Sequence, residues 1–153
     1  MSTLRIWLTD PHRTARLACW YWLLSAVAYA AFVGLTLSGA AVSLSEYATA
    51  SPSAALGAAH AALTALFAGL LVAAGRSTGW LRIIACCAAV QQVLAFNLPG
   101  AILAGALIVG ATRNPTRAQP RVPGPVLAAA LIVLGLALAL VATAEVRLLT
   151  AAG

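Results

Sequence analysis

Long apolar runs alternate with short polar segments along the whole chain. Three runs, 17–37, 54–74 and 126–147, have almost no charged residue inside them. A helix needs about 20 such residues to cross about 30 Å of hydrocarbon. The pattern therefore predicts an all-α integral membrane protein, a small helical bundle of four or five transmembrane segments.

A fourth apolar stretch, 81–111, decides the number of segments. As one straight helix of about 30 residues it would be about 45 Å long, which is more than the bilayer requires. Two arms of about 16 residues would each reach only about 24 Å. The turn-forming Asn-Leu-Pro-Gly sequence in its middle favours a short helical hairpin broken at Asn97–Gly100. One long kinked helix over 83–111 is the alternative.

The charges predict the orientation. All nine basic residues are arginine, and the hairpin places eight of them on one side and Arg147 alone on the other, whereas a single crossing places six against three. Positive charge marks the cytoplasmic side, so the bias favours the hairpin and a cytoplasmic N-terminus. The predicted order is a cytoplasmic or interfacial segment 1–16, a span 17–37, an outside loop 38–53, a span 54–74, a cytoplasmic loop 75–82, the hairpin 83–111, a basic loop 112–125 and a span 126–147. A cleaved signal peptide is the alternative for the first run, but that run exceeds the usual length of about 7–15 residues.

Composition supports a membrane location and bounds the partners. The 153 residues are 63% hydrophobic and 8% charged, whereas a soluble domain is about half apolar. A net charge of +6 would suggest nucleic acid in a soluble protein, but here the arginines flank apolar runs and we expect no nucleic-acid partner. The expected partners are the lipid bilayer and either another membrane protein or a second copy of the chain. An alanine-rich sequence without lysine suggests a bacterial, GC-rich genome and the inner (plasma) membrane.

Three amides lie inside the 81–111 stretch. An amide in hydrocarbon costs several kcal/mol unless it is hydrogen-bonded. We therefore expect Gln91 and Gln92 to bond to another helix, with Thr64 and Ser25 as partners at a comparable depth. The alternative is a polar lining for a ligand. Asn97 would be a turn residue in the hairpin and part of the polar set in the single helix.

Glu46 and His60 are the candidate catalytic residues, because both would lie toward the outer side. A carboxylic acid beside an apolar cavity can have a raised pKa and protonate an apolar substrate. In the alternative interpretation Glu46 is a solvated loop residue and His60 a hydrogen-bonded interfacial one.

The rest of the sequence shows no catalytic or metal-binding motif. The three cysteines form no C-x-x-C pair, and the sequence predicts no metal site and no cofactor. The sequence favours a subunit or accessory protein that works through helix–helix contacts. The first alternative is an intramembrane enzyme on an isoprenoid or lipid that uses Glu46 and His60, and the second is an oligomeric transporter of a small solute.

Overall fold

The computed structural model describes residues 10–40 and 43–151, and these residues form six α-helices and no strand. The all-α fold is therefore confirmed, while the interfacial segment predicted before residue 10 lies outside the described range. The helices are α1 (Pro11–Ala40), α2 (Leu44–Ala50), α3 (Pro52–Ala74), α4 (Thr78–Leu94), α5 (Leu98–Arg113) and α6 (Gly124–Ala151).

Three of the helices, α1, α3 and α6, are long and apolar enough to cross a membrane. The other two apolar helices, α4 and α5, have 17 and 16 residues, which makes each about 25 Å long. The number of membrane-crossing segments therefore depends on what these two shorter helices do.

Local signals in the sequence account for the starts of α1 and α2. Asp10 precedes Pro11, and its Oδ1 accepts from the backbone N–H of His12 at 2.9 Å, which is the N-cap arrangement that the Asp-Pro pair predicts. The helix α2 lies in the stretch assigned above to a loop. Ser43 and Glu46 form a capping box at its start, because each side chain bonds the other residue's backbone N–H.

The 81–111 stretch forms two helices that lie antiparallel. Thr78 at the start of α4 accepts a hydrogen bond from the backbone N–H of Thr116, just beyond α5, at 2.7 Å. At the other end the turn over 95–97 reverses the chain, and Phe96 there has φ 52°, in the left-handed region that tight turns use. Whether both arms of this α4–α5 hairpin cross a membrane stays a prediction.

The core lies where the hairpin meets α1 and α3. Trp22, Phe67, Leu81, Ile84 and Leu107 are fully buried there. The hairpin packs on α1 and α3, whereas α6 packs mainly on α3 and only lightly on α4. The helix α6 therefore lies at the edge of the bundle.

The loops before α4 and after α5 meet at one end of the bundle, which we call the basic end. The Thr116 hydroxyl donates to the carbonyl of Arg76 at 2.8 Å. The backbone N–H of Arg121 donates to the carbonyl of Ala73 at 3.0 Å. These bonds hold the 114–123 segment across the ends of α3 and α4.

Candidate functional site

A continuous chain of hydrogen bonds joins polar side chains from four helices and the hairpin turn. We call it the polar ladder. Every member except Tyr21 and Glu145 is a candidate from the sequence. Its members in spatial order are Glu145, His60, Gln91, Thr64, Gln92, Asn97 and Tyr21.

The two glutamines form the centre of the polar ladder. Both side chains are fully buried, so each amide must find its partners inside the protein. The Thr64 hydroxyl accepts from Gln91 Nε2 at 3.0 Å and from Gln92 Nε2 at 3.3 Å. Gln91 also donates to the carbonyl of His60 at 3.2 Å, and Gln92 donates to Gln91 Oε1 at 2.5 Å. The structure thus brings together Gln91, Gln92 and Thr64, which lie on α4 and α3.

The hairpin turn extends the polar ladder to α1. Asn97 Nδ2 donates to Gln92 Oε1 at 2.5 Å, and Asn97 Oδ1 accepts from the Tyr21 hydroxyl at 2.7 Å. The same Oδ1 accepts from the backbone N–H of Gly100 at 3.1 Å and so caps α5. A Cβ at Gly100 would collide with Gln92 Oε1. A larger residue at position 100 would therefore displace the Gln92 amide where α5 approaches α4.

His60 and Glu145 form the other end of the polar ladder. His60 Nε2 and Glu145 Oε1 are 2.6 Å apart, and the side chains are 9% and 23% exposed. The second ring nitrogen, Nδ1, faces the amide nitrogen of Gln91 at 3.5 Å. Because an amide NH₂ only donates, this arrangement suits an imidazole that carries its proton on Nε2 and keeps Nδ1 as an acceptor. The pair therefore links α3 to α6.

The structure does not bring Glu46 and His60 together. Glu46 is exposed on α2 and bonds the hydroxyl and backbone N–H of Ser43. These hydrogen bonds hold the pKa of the Glu46 carboxyl below its ordinary value. A general acid needs the opposite shift to keep its proton near neutral pH. His60 instead has Glu145 as its carboxylate partner.

Ser25 also lies outside the polar ladder, because its hydroxyl donates to the carbonyl of Trp22 within α1 at 2.9 Å.

Two members of the polar ladder, Tyr21 and Glu145, were not among the candidates from the sequence. Tyr21 lies between Trp20 and Trp22, a grouping typical of interfacial aromatics, and Glu145 lies where the last apolar run ends. Glu145 lies about 20 residues from the start of that run, and α6 continues beyond it to Ala151. Its position inside a long helix is the signal that could have identified it.

No protein-family model, no curated protein and no solved structure matches this chain. Functional inference therefore rests on the chain's own residues, and above all on the polar ladder.

Proposed function

We propose that this protein is a small polytopic membrane protein that works as a non-enzymatic subunit or accessory protein through helix–helix contacts. The polar ladder is the observation that carries the proposal. Its three amides, of which Gln91 and Gln92 are fully buried, bond one another and their neighbours on α1 and α3. They therefore cross-link the bundle and leave apolar surface outside. Such a protein presents a fixed apolar shape to a partner within the bilayer.

The membrane location rests on the three long apolar helices and on the charge distribution. Arg13, Arg16, Arg76 and Arg121 surround one cavity at the basic end. The positive-inside rule assigns that end to the cytoplasm. We propose the inner (plasma) membrane of a bacterium, a cytoplasmic N-terminus, and both arms of the α4–α5 hairpin as membrane segments.

The helix α6 offers the surface for a partner helix. It lies at the edge of the bundle, and along its outward side large apolar side chains are more than half exposed. These side chains are Ile132, Val133, Leu136 and Leu140. The occupant we propose is one transmembrane helix of another membrane protein, because shape and dispersion contacts supply the affinity between apolar helices in lipid.

Tryptophan replacement of exposed positions tests this proposal. In a mild detergent the native protein should migrate in an assembly larger than its 15.5 kDa chain. Leu136→Trp should release the chain from that assembly without lowering its own thermal stability. Leu24→Trp, at an equally exposed position on α1, is the matched control and should leave the assembly intact. An assembly that tolerates tryptophan at each of the four α6 positions would refute the α6 contact.

The His60–Glu145 pair favours a second candidate, an oligomeric carrier that couples a small solute to protons. Acidic and imidazole groups between membrane helices often mark ion or proton pathways. In proteoliposomes with an imposed pH gradient, Glu145→Gln should abolish uptake. Glu46→Gln removes an exposed carboxyl that bonds Ser43 and is not part of the polar ladder. It is the control and should transport normally. Equal uptake by both variants would rule out the carrier function.

A further inference from the structure

A basic cavity lies between α1, the end of α3 and the 114–123 segment. Its volume is about 880 Å³. Three separate parts of the chain supply its arginines, since Arg13 and Arg16 come from α1, Arg76 from the loop after α3, and Arg121 from the segment before α6. The fold therefore brings together charges that are more than 100 residues apart in sequence.

The cations of this cavity outnumber its anions. The whole sequence holds three acidic side chains. Asp10 lies in the cavity, with its Oδ2 3.3 Å from Arg13 Nε. The other two are engaged elsewhere, Glu46 with Ser43 and Glu145 with His60. No acidic side chain is left to neutralise Arg16, Arg76 and Arg121, so the cavity has a net positive charge that suits an anion.

Arg121 is held in this position by the fold. Its backbone N–H donates to the carbonyl of Ala73 at 3.0 Å. Its side chain crosses Gly75, where an added Cβ would lie 2.9 Å from Arg121 Cγ. Gly75 also has φ 60°, which is a conformation that glycine adopts without strain. The anchored backbone and the close passage over Gly75 place the Arg121 side chain at the cavity.

An apolar groove continues from the basic cavity. Leu23 lines the cavity and also lines a second cavity of about 530 Å³ between α1 and α3. This second cavity follows α1 from Leu23 to Leu37, which is 14 residues or about 21 Å along the helix. It is therefore longer than one leaflet of hydrocarbon, which is about 15 Å thick. Alanine and glycine line most of it. Among the described lining residues Tyr29 supplies the one hydroxyl, which already donates to the carbonyl of Ala54. The groove therefore offers only apolar contact over the length of an acyl chain.

We infer that one anionic phospholipid binds here, with its phosphate among Arg16, Arg76 and Arg121 and one acyl chain along the α1–α3 groove. The inference rests on the membrane location proposed above. Guanidinium groups bind phosphate oxygens in pairs, and basic pockets between membrane helices on the cytoplasmic side recognise anionic headgroups. A soluble phosphate compound would use only the polar half of this surface, and a zwitterionic lipid carries its own cation beside the phosphate.

Native mass spectrometry of the purified full chain in detergent micelles tests the inference. Titration with long-chain phosphatidylglycerol should give one bound lipid, at concentrations at least tenfold below those needed for phosphatidylcholine of the same chain length. Inorganic phosphate and glycerol 3-phosphate should bind far more weakly than the phosphatidylglycerol. Equal binding of the two lipids, or a soluble phosphate that binds as tightly as phosphatidylglycerol, would overturn the inference.

Charge-removing variants locate the headgroup. The double variant Arg16→Gln/Arg121→Gln should weaken phosphatidylglycerol binding about 25-fold, since each arginine beside an anionic lipid contributes about fivefold. Arg147→Gln, on the last helix and away from this cavity, is the matched control and should bind normally. A double variant that binds like the native protein would refute the assignment.

A second variant tests the acyl chain and does not disturb the charges. Ala30→Phe fills the groove from an exposed position on α1. It should weaken binding of long-chain phosphatidylglycerol, whereas a six-carbon-chain analogue should bind equally to both proteins. Equal weakening of the binding of both lipids, or of neither, would exclude the groove as the acyl-chain site.

Alkaline carbonate extraction distinguishes failure of the proposed membrane location from failure of the proposed lipid site. Release of the protein from membranes would refute the membrane location. Retention in membranes without lipid selectivity would refute only the lipid site.

Discussion

Replacing Thr64 by valine removes the hydroxyl that both glutamines share and keeps the shape of the side chain. Thr64 Oγ1 accepts one hydrogen bond from each glutamine and donates to the carbonyl of His60 at 2.8 Å. Neither amide loses its last partner, because Gln91 still donates to His60 and Gln92 to Gln91. We therefore expect a moderate loss of stability and not the several kcal/mol of an unbonded buried amide.

The size of this loss follows from the two interhelical bonds. A side-chain hydrogen bond between membrane helices contributes about 0.6 kcal/mol on average and about 1.7 kcal/mol at most. Two such bonds give about 1–2 kcal/mol for Thr64→Val. The free energy of unfolding, measured by titration with a denaturing detergent and followed by circular dichroism, should fall by that amount.

Thr143→Val is the matched control. Thr143 is exposed on α6, and its hydroxyl makes the same kind of bond within its own helix, to the carbonyl of Ala139 at 2.7 Å. Its replacement should change the free energy of unfolding by less than about 0.5 kcal/mol. A double-mutant cycle with Gln92→Leu should give a coupling near 0.6 kcal/mol. Equal effects of Thr64→Val and Thr143→Val would show that the polar ladder does not stabilise the bundle.

The remaining predictions concern the hairpin, the short helix α2 and the topology. Gly100→Ala should destabilise the protein by about 2–3 kcal/mol through overpacking. Gly105→Ala, where a Cβ meets nothing within 4 Å, should stabilise it by about 0.5–1 kcal/mol. Similar effects at both positions would contradict the close approach at the turn. Because the folded-state pKa of Glu46 is lowered from 4.5, its contribution to α2 is complete above that value and is lost as the pH falls through the lowered pKa. Hydrogen-exchange protection of residues 46–50 should therefore decrease in acid. In the Glu46→Gln variant this protection should not depend on pH, and the assembly and phenotype of the protein should be unchanged. In a variant without native thiols, a membrane-impermeant reagent added outside should label Ala48→Cys and spare Arg117→Cys, and labelling at position 117 would rule out two crossings by the hairpin.

Apolar runs and turn chemistry predicted the elements that depend on local signals. The long helices follow from uncharged runs, and the turn near Asn97 follows from a residue sequence that ends helices. The helix α2 escaped prediction although Ser43-Leu44-Ser45-Glu46 is a capping-box signature. The surrounding serine, threonine and alanine residues give no apolar face, and the segment was therefore interpreted as a loop.

The polar ladder was only partly predictable, because hydrogen-bond partners on distant helices depend on how the helices pack. The depth of Gln91, Gln92 and Thr64 along their helices was enough to suggest contact. The partnership of His60 with Glu145 spans 85 positions, and it depends on the placement of α6 against α3, which no local pattern encodes. Glu46 was paired with His60 because both residues would lie toward the outer side of the membrane.

The order of the polar ladder along the chain has a consequence for biogenesis. Synthesis proceeds from the N-terminus, so α1 and α3 are made before the hairpin that carries the three amides. Thr64 and Tyr21 have therefore already been synthesised when those amides appear, and the amides can bond to partners made before them. Glu145 is made last, and until α6 arrives His60 lacks its carboxylate partner. That pair can therefore form only once α6 has been synthesised.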